Sequence, residues 1–523
     1  MTGLRERGYQ PRPVFEQQFL GSWRRIVLFN SYEFIFVFLP IALAVFFLIG
    51  RASTKIALGW LVVASLAFYA AWNPRYLVLL SGSIAFNYLI GRLLGRESFV
   101  QKVRRGLLLV GVVTNLGLLG YFKYAGFFAE SFSTLTGTGT EIPPIVLPLA
   151  ISFFTFQQIA YLVDTYSGRC AEHGFIDYCL FVTFFPQLIA GPIVHHGEML
   201  PQFRRRDVFR PNADNLAVGL TIFSMGLFKK VVIADGVAIF ANVVFNHAAG
   251  GETIGLLHAW VGVVAYALQL YFDFSGYSDM AIGLGRLFGI RLPLNFNSPY
   301  KATNIVDFWR RWHITLSRFL RDYLYIPVGG SRRGLSRRYA NLMTTMLLGG
   351  LWHGAGWTFV FWGGLHGLYL CVNHGWQKWC KRADWQFTHR RSWQPVAWTI
   401  TFIAVLVGWV YFRAASFVVA NSIIASMFGL NGFDLDVKGS NQILYVLAVL
   451  AAAVWLPNTQ QIMDRHSPCS DWDQLRGDAS PVPSRLAWIR WNPGTLSAAL
   501  TATAAALGVL SLTRVQEFLY FQF

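Results

Sequence analysis

The chain has 523 residues, 54% of them hydrophobic and only 13% charged, with a formal net charge of +18. A soluble globular domain is about one quarter charged, so composition excludes that class. The excess Lys and Arg sits in loops between apolar runs, where it suits anionic lipid and anionic metabolites rather than nucleic acid.

Residues 1–26 are polar and Arg-rich, without the short apolar core and cleavage site of a signal peptide. Apolar runs follow at 34–50, 56–72 and 76–94. Arg51 and Lys55 trail the first, and Arg96, Lys102, Arg104 and Arg105 trail the third. The positive-inside rule places both of these basic loops in the cytoplasm. The chain start then faces outward, with Arg5, Arg7, Arg12, Arg24 and Arg25 on the wrong side. We therefore expect 1–26 to be an extension created by start-site choice, ahead of a single membrane domain over 27–523 that begins near Val27.

The next run, 107–122, is expected to end at Lys123. Gln157, Gln158 and Asp164 interrupt the apolar face of the run 145–166, and Pro186 and Pro192 would break or bend a helix over 178–194. A basic loop, PQFRRRDVFR, covers 201–210. Lys229, Lys230 and Asp235 split 215–245 into two expected pieces, and 254–272 runs into DFSGYSDMAIGLG. Further runs lie at 361–373, 396–412, 417–428, 444–455 and 495–512, and 456–494, with five prolines, reads as a loop region. The fold class is an all-α polytopic membrane protein of about 11–13 apolar segments. Some are too short to cross ~30 Å of hydrocarbon and belong inside a protein-walled cavity.

Three histidines concentrate in 304–366: His313, His353 and His366. Ionisable groups at membrane depth are costly and mark working sites. Asn304, with Asp307 three residues on, has a helix-starting signature. The helix expected through Leu320 carries Phe308, Trp309 and Trp312 among Arg310, Arg311, Arg318 and Arg321. Helical spacing pairs Asp307 with Arg310 or Arg311, pairs Arg318 with Asp322, and puts His313 and Ser317 on one face. Either this is a membrane-surface helix with an incidental histidine, or His313 faces a cavity and meets a substrate. His353 follows Trp352 in LLGGLWHGAGW, whose Gly349, Gly350, Gly354 and Gly356 permit close backbone approach. It is either a packed neutral imidazole or a general base. His366, in GGLHG, reads as a helix-packing residue.

In DFSGYSDM, Asp273, Ser275, Ser278 and Asp279 adjoin a span; they either cap a break or hold a partner such as Arg286 or Arg310. His195 and His196 read as a loop pair, and GLGRLFG has no strand–helix frame for a dinucleotide. The sequence contains no HExxH, GxSxG or P-loop, and its 5 cysteines are scattered without a CxxC.

QLYFDFSGYSDMAIGLG, FWRRWHITLSRFLRDYLYIPVGG and LLGGLWHGAGWTFVFWGGLHG resemble the membrane-bound O-acyltransferase (MBOAT) family, in its exopolysaccharide-acetylating branch. GYFKYAGFF, ISFFTFQQIAYLVDTY, FPQLIAGPIV, KKVVIAD, GWVYFRA and PNTQQIM fit it too, and LFNSYEFIFVFLP resembles the family's opening. The resemblance covers nearly all of 27–523. It implies a ring of transmembrane and re-entrant helices around a thinner centre pierced by a tunnel. It implies His313 and His353 as the catalytic pair, His353 taking a hydroxyl proton and His313 orienting the carbonyl or its developing oxyanion. Asp273, Ser275, Asp279, Asn304, Arg310, Arg311, Trp312, Ser317, Trp352 and His366 would bind substrate or support the pair.

The implied activity is an O-acyltransferase of the bacterial inner membrane. It would move acetyl from a cytoplasmic thioester, acetyl-CoA or an acyl carrier, to an exported polysaccharide such as alginate. The implied partners are membrane lipid and a periplasmic SGNH-hydrolase-like acetyltransferase, with no resident cofactor or metal and no nucleic acid. The alternatives are another branch of the family, transferring D-alanine or a lipid acyl group, and a secondary transporter. No inverted repeat is visible in the sequence, which weighs against the transporter.

Overall fold

The computed structural model describes residues 28–139, 142–170, 174–385, 391–433, 440–475, 484–514 and 519. The extension expected at 1–26 lies outside them. The described residues form helices and connecting segments with no strand. In chain order the helices are α1 (Phe34–Gly50), α2 (Thr54–Ala70), α3 (Tyr76–Leu94), α4 (Gln101–Thr136), α5 (Ile151–Tyr166), α6 (Phe175–Thr183), α7 (His196–Phe203), α8 (Ala213–Ala249) and α9 (Leu256–Leu287). They continue with α10 (Ile305–Arg311), α11 (Ile314–Leu320), α12 (Leu335–His353), α13 (Trp357–Arg382), α14 (Gln394–Arg413), α15 (Phe417–Met427), α16 (Ser440–Trp455) and α17 (Thr495–Ser511). Among these, α3, α4, α8, α9 and α14 are long and apolar enough to cross a membrane.

The centre is α9. Every residue from Ala265 to Leu287 is buried, Asp273, Asp279 and Arg286 included. α8 crosses it through glycines: Gly219 meets Gly283, and Gly226 meets Gly276. Both spacings are seven residues, about two helical turns, so each pair returns to the same face. A Cβ on Gly276 would stand 2.8 Å from the Gly226 carbonyl oxygen and 3.0 Å from the Lys230 nitrogen. Gly276→Val is therefore expected to cost about 1–3 kcal/mol by overpacking. Gly117→Ala, with nothing within 4 Å of the new carbon, should leave the thermal midpoint in detergent unmoved.

Several expected breaks are absent. α8 is one continuous helix, with Lys229 and Lys230 in a π-helical turn, Lys229–Ala234. Lys123 does not end α4; it lies in a second π turn, Gly120–Tyr124, and the helix runs on to Thr136. Such a turn adds one residue to the helix and re-aims what it carries. The α8 lysines are tolerated because α9 supplies carboxylates. Lys230 stands 2.7 Å from Asp235 and 2.8 Å from Asp273, and Lys229 stands 2.6 Å from Asp279. The DFSGYSDM carboxylates thus hold lysines rather than Arg286 or Arg310, and α9 has no break for them to cap.

The proline signals, by contrast, do mark a break. After α6 the chain makes one turn, Phe185–Leu188, then runs irregularly to His195, buried throughout 178–194. Irregular backbone at this depth needs protein around it. The 456–494 region is more than a loop: Thr459 and Gln460 of a buried turn donate to Asp279 at 2.7 and 2.6 Å. Arg104 donates to the Leu94 and Tyr166 carbonyls at 3.1 and 3.0 Å, Asp164 meets His195, and Gly50 packs on Phe209. The basic segments 51–55, 96–105 and 204–210 therefore lie on one side of the molecule.

Candidate active site

The single helix expected over 304–320 is two, α10 and α11, broken at Trp312 and His313. A break orphans helix-end groups, and the irregular segment 294–298 replaces their partners. Asn297 N–H donates to the Arg311 carbonyl at 2.9 Å, and Ile314 N–H donates to the Asn295 carbonyl at 3.0 Å. His313 takes a φ of +43°, left-handed and uncommon for a residue with a Cβ. Residues held in such conformations cluster at working sites. The imidazole is fully buried, not displayed on a surface helix. Its Nδ1 lies 3.1 Å from Asn295 Oδ1, and its ring meets the Phe274 ring of α9 edge-on at 4.8 Å.

His353 is the last residue of α12, after which the chain leaves in an extended conformation at Gly354. Gly350 of α12 crosses Gly363 of α13 at a distance no side chain would allow. The His353 and His313 ring centres are 6.3 Å apart, with Trp352 5.0 and 6.1 Å from them. Trp362 and Phe412 close over His353 at 5.1 and 5.3 Å. Lys123 reaches in from α4: Nζ is 2.5 Å from the Trp352 carbonyl, 3.5 Å from that of His353 and 3.3 Å from Ser152 Oγ. Tyr124 donates to the Leu351 carbonyl at 3.0 Å. The Lys123 side chain thus caps the carbonyl end of α12. Lys123 was legible as a lone cation in a long apolar helix, but hydropathy alone reads it as a span end.

The other expected site residues divide. Trp352 joins the pair. Trp312 is buried beneath the kink, 4.9 Å from the Trp409 ring. Ser317 Oγ is 3.5 Å from the Trp312 carbonyl. Asn304 caps α10, accepting the Asp307 N–H at 2.9 Å, and Arg311 pairs with Asp307 at 2.8 Å. Arg310 is exposed. Arg318 pairs with Glu198 at 2.8 Å, not with Asp322, which Arg321 takes at 2.7 Å. Asp273 and Asp279 anchor the α8 lysines, and the buried Ser275 hydroxyl has no hydrogen-bond partner among the described residues. His366 is fully buried among Trp309, Trp362 and Trp409, at 5.4, 4.9 and 6.2 Å, and neither ring nitrogen has a hydrogen-bond partner among the described residues.

Sequence reading missed Asn295 and Thr315; the polar run in LNFNSP was the available signal. It also took His195 and His196 for a loop pair. His195 instead caps α7 and, with Tyr323, binds the buried Asp164 at 2.5 and 2.6 Å. Asp164, His195 and His196 lie close enough to share a cation. However, the Gly197 N–H donates to His195 Nδ1 at 3.2 Å. That leaves the ring proton on Nε2, which makes it a donor to the carboxylate rather than a metal ligand.

A ring-centre separation of 6.3 Å leaves room for one reacting oxygen to reach both imidazoles. A pair so placed, walled by aromatic rings, can take a proton from a hydroxyl and hold a carbonyl oxygen.

Residues 171–419 match the family model described as MBOAT, membrane-bound O-acyltransferase family. A peptidoglycan O-acetyltransferase of Helicobacter pylori is 48% identical over 438 residues, 78% of this chain and 81% of the relative. A probable alginate O-acetylase of Pseudomonas putida is 40% identical over 508 residues, 95% of this chain and all of the relative. A teichoic acid D-alanyltransferase of Bacillus subtilis is 27% identical over 368 residues, 68% of this chain and 86% of the relative.

Proposed function

Since the chain belongs to the membrane-bound O-acyltransferase family and is an acyltransferase, we propose that it moves acetyl from a cytoplasmic thioester, acetyl-CoA or an acyl carrier, to hydroxyls of an exported polysaccharide at the bacterial inner membrane. The observation that carries the reading is the buried His313–His353 pair. The acceptor hydroxyl oxygen attacks the thioester carbonyl carbon, and an imidazole takes the hydroxyl proton. The carbon–sulfur bond then breaks, and the proton passes to the leaving thiolate, giving an ester and a free thiol. No covalent acyl-enzyme is required.

Donor and acceptor have to reach the pair from opposite faces. On the basic face, which the positive-inside rule makes cytoplasmic, Arg51, Arg206 and Arg210 line a cleft of about 850 Å³ that suits the phosphates of a thioester carrier. The names of the relatives point to glycan hydroxyls, of peptidoglycan in one case and alginate in another. Delivery through a periplasmic SGNH-hydrolase-like partner is part of this reading.

The test is reconstitution into proteoliposomes. Labelled acetyl-CoA or, in parallel, a labelled D-alanyl carrier thioester is supplied on one face, and alginate, peptidoglycan fragments or teichoic acid, with and without a periplasmic extract, on the other. Acetyl esters on glycan hydroxyls are expected. Transfer of D-alanine but not acetyl would move the chain to the teichoic acid branch, and unchanged thioester with every acceptor would overturn the proposal.

A further inference from the structure

Asn295 faces the His313 ring, its Oδ1 3.1 Å from Nδ1. The Asn295 side chain is fully buried, and its amide orientation is set independently of the histidine. The Thr315 backbone N–H, which can only donate, faces Oδ1 at 3.4 Å. Thr315 Oγ1 lies 2.9 Å from the same oxygen and accepts the Ile193 N–H at 3.0 Å, so its own proton is available for Oδ1. On the other side, Nδ2 donates to Ser278 Oγ at 3.4 Å. With Oδ1 fixed as an acceptor, His313 Nδ1, 3.1 Å away, has to carry a hydrogen.

We propose that Asn295 is a positioning residue that holds neutral His313 as the Nδ1–H tautomer, so that the imidazole meets the acceptor hydroxyl through Nε2 as a proton acceptor. A neutral ring held this way has no hydrogen on Nε2 to give a carbonyl oxygen, so the oxyanion-stabilising role expected of His313 does not fit its surroundings. The inference rests on the acyl-transfer reading of the site and assigns a role within it. The segment carrying Asn295 is itself pinned: Asn458 Nδ2 donates to Asn297 Oδ1 and Ser298 Oγ, each at 3.0 Å. The next residues, Thr459 and Gln460, tie that anchor to Asp279 of α9. His353 of α12 faces the His313 ring, with Lys123 of α4 behind it on the Trp352 and His353 carbonyls. Phe274 of α9 and Phe296 present apolar rings.

The experiment compares acetyl transfer by full-length Asn295→Leu, Asn295→Asp and His313→Ala in proteoliposomes across pH. Holding a working imidazole in the wrong tautomer costs up to about 10⁴-fold in kcat, and Asn295→Leu should lose at least about 10-fold in kcat with KM unchanged. Asn295→Asp keeps an acceptor for the Nδ1 hydrogen and adds a negative charge that favours the imidazolium. It should keep far more activity than Asn295→Leu and move the acid limb of the kcat profile to higher pH. Folded Asn295→Leu with wild-type kcat and pH profile, beside an inactive His313→Ala, overturns the Asn295 role alone. If Asn295→Leu fails to insert, the limb shift in Asn295→Asp decides, and its absence overturns the role. Wild-type turnover by folded His313→Ala overturns the site reading and this inference with it.

Discussion

His353→Ala and His313→Ala are each expected to lower acyl transfer by about 10²–10⁴-fold, the range a positioned acid–base group contributes. The protein should still insert and fold. Lys123 grips the main-chain carbonyls of Trp352 and His353, so truncating His353 leaves the cap on α12 in place. Glycan acetylation in proteoliposomes, read beside the thermal midpoint, separates chemistry from folding. For His313, Asn is the gentler replacement, because Asn tolerates the left-handed backbone that His313 adopts. A folded variant of either residue that acetylates at the wild-type rate would remove that residue from the mechanism.

The second large effect is on stability. Lys230 is 1% exposed and sits between Asp235 and Asp273 at 2.7 and 2.8 Å. Lys230→Met leaves two buried carboxylates without their cation. Breaking a buried pair in this way costs about 3–5 kcal/mol, enough to unfold a marginal protein. Lys229→Met should cost less, because Asp279 keeps its donors Thr459 and Gln460. Adding Asp235→Asn and Asp273→Asn to Lys230→Met should recover most of the loss, because no buried charge is then left unpaired. Membrane yield and the thermal midpoint in detergent measure all three, and Lys230→Met as stable as wild type would contradict the ion-pair account.

Where apolar length was the signal, the sequence placed helices closely. The runs at 76–94, 396–412, 417–428 and 495–512 are α3, α14, α15 and α17, displaced by at most a residue or two at either end. The family resemblance likewise held across the chain and singled out the two histidines that the fold brings together. Where polar residues were the signal for helix ends and continuity, the reading failed in both directions. Lys123, Lys229 and Lys230 looked like helix ends and lie inside continuous helices. The polar and aromatic run 304–320 looked continuous and is broken at the catalytic candidate.

The residues by themselves determined that the chain is helical, that it lives in a membrane and which face is basic. These follow from the length and polarity of consecutive side chains, which any short window contains. Only the tertiary structure decided which charges are buried in pairs, where His313 interrupts its helix and which side chains face that ring. Those outcomes depend on groups brought within about 3 Å from far along the chain, such as Lys123 on a carbonyl 229 residues away. A local pattern holds no record of such partners.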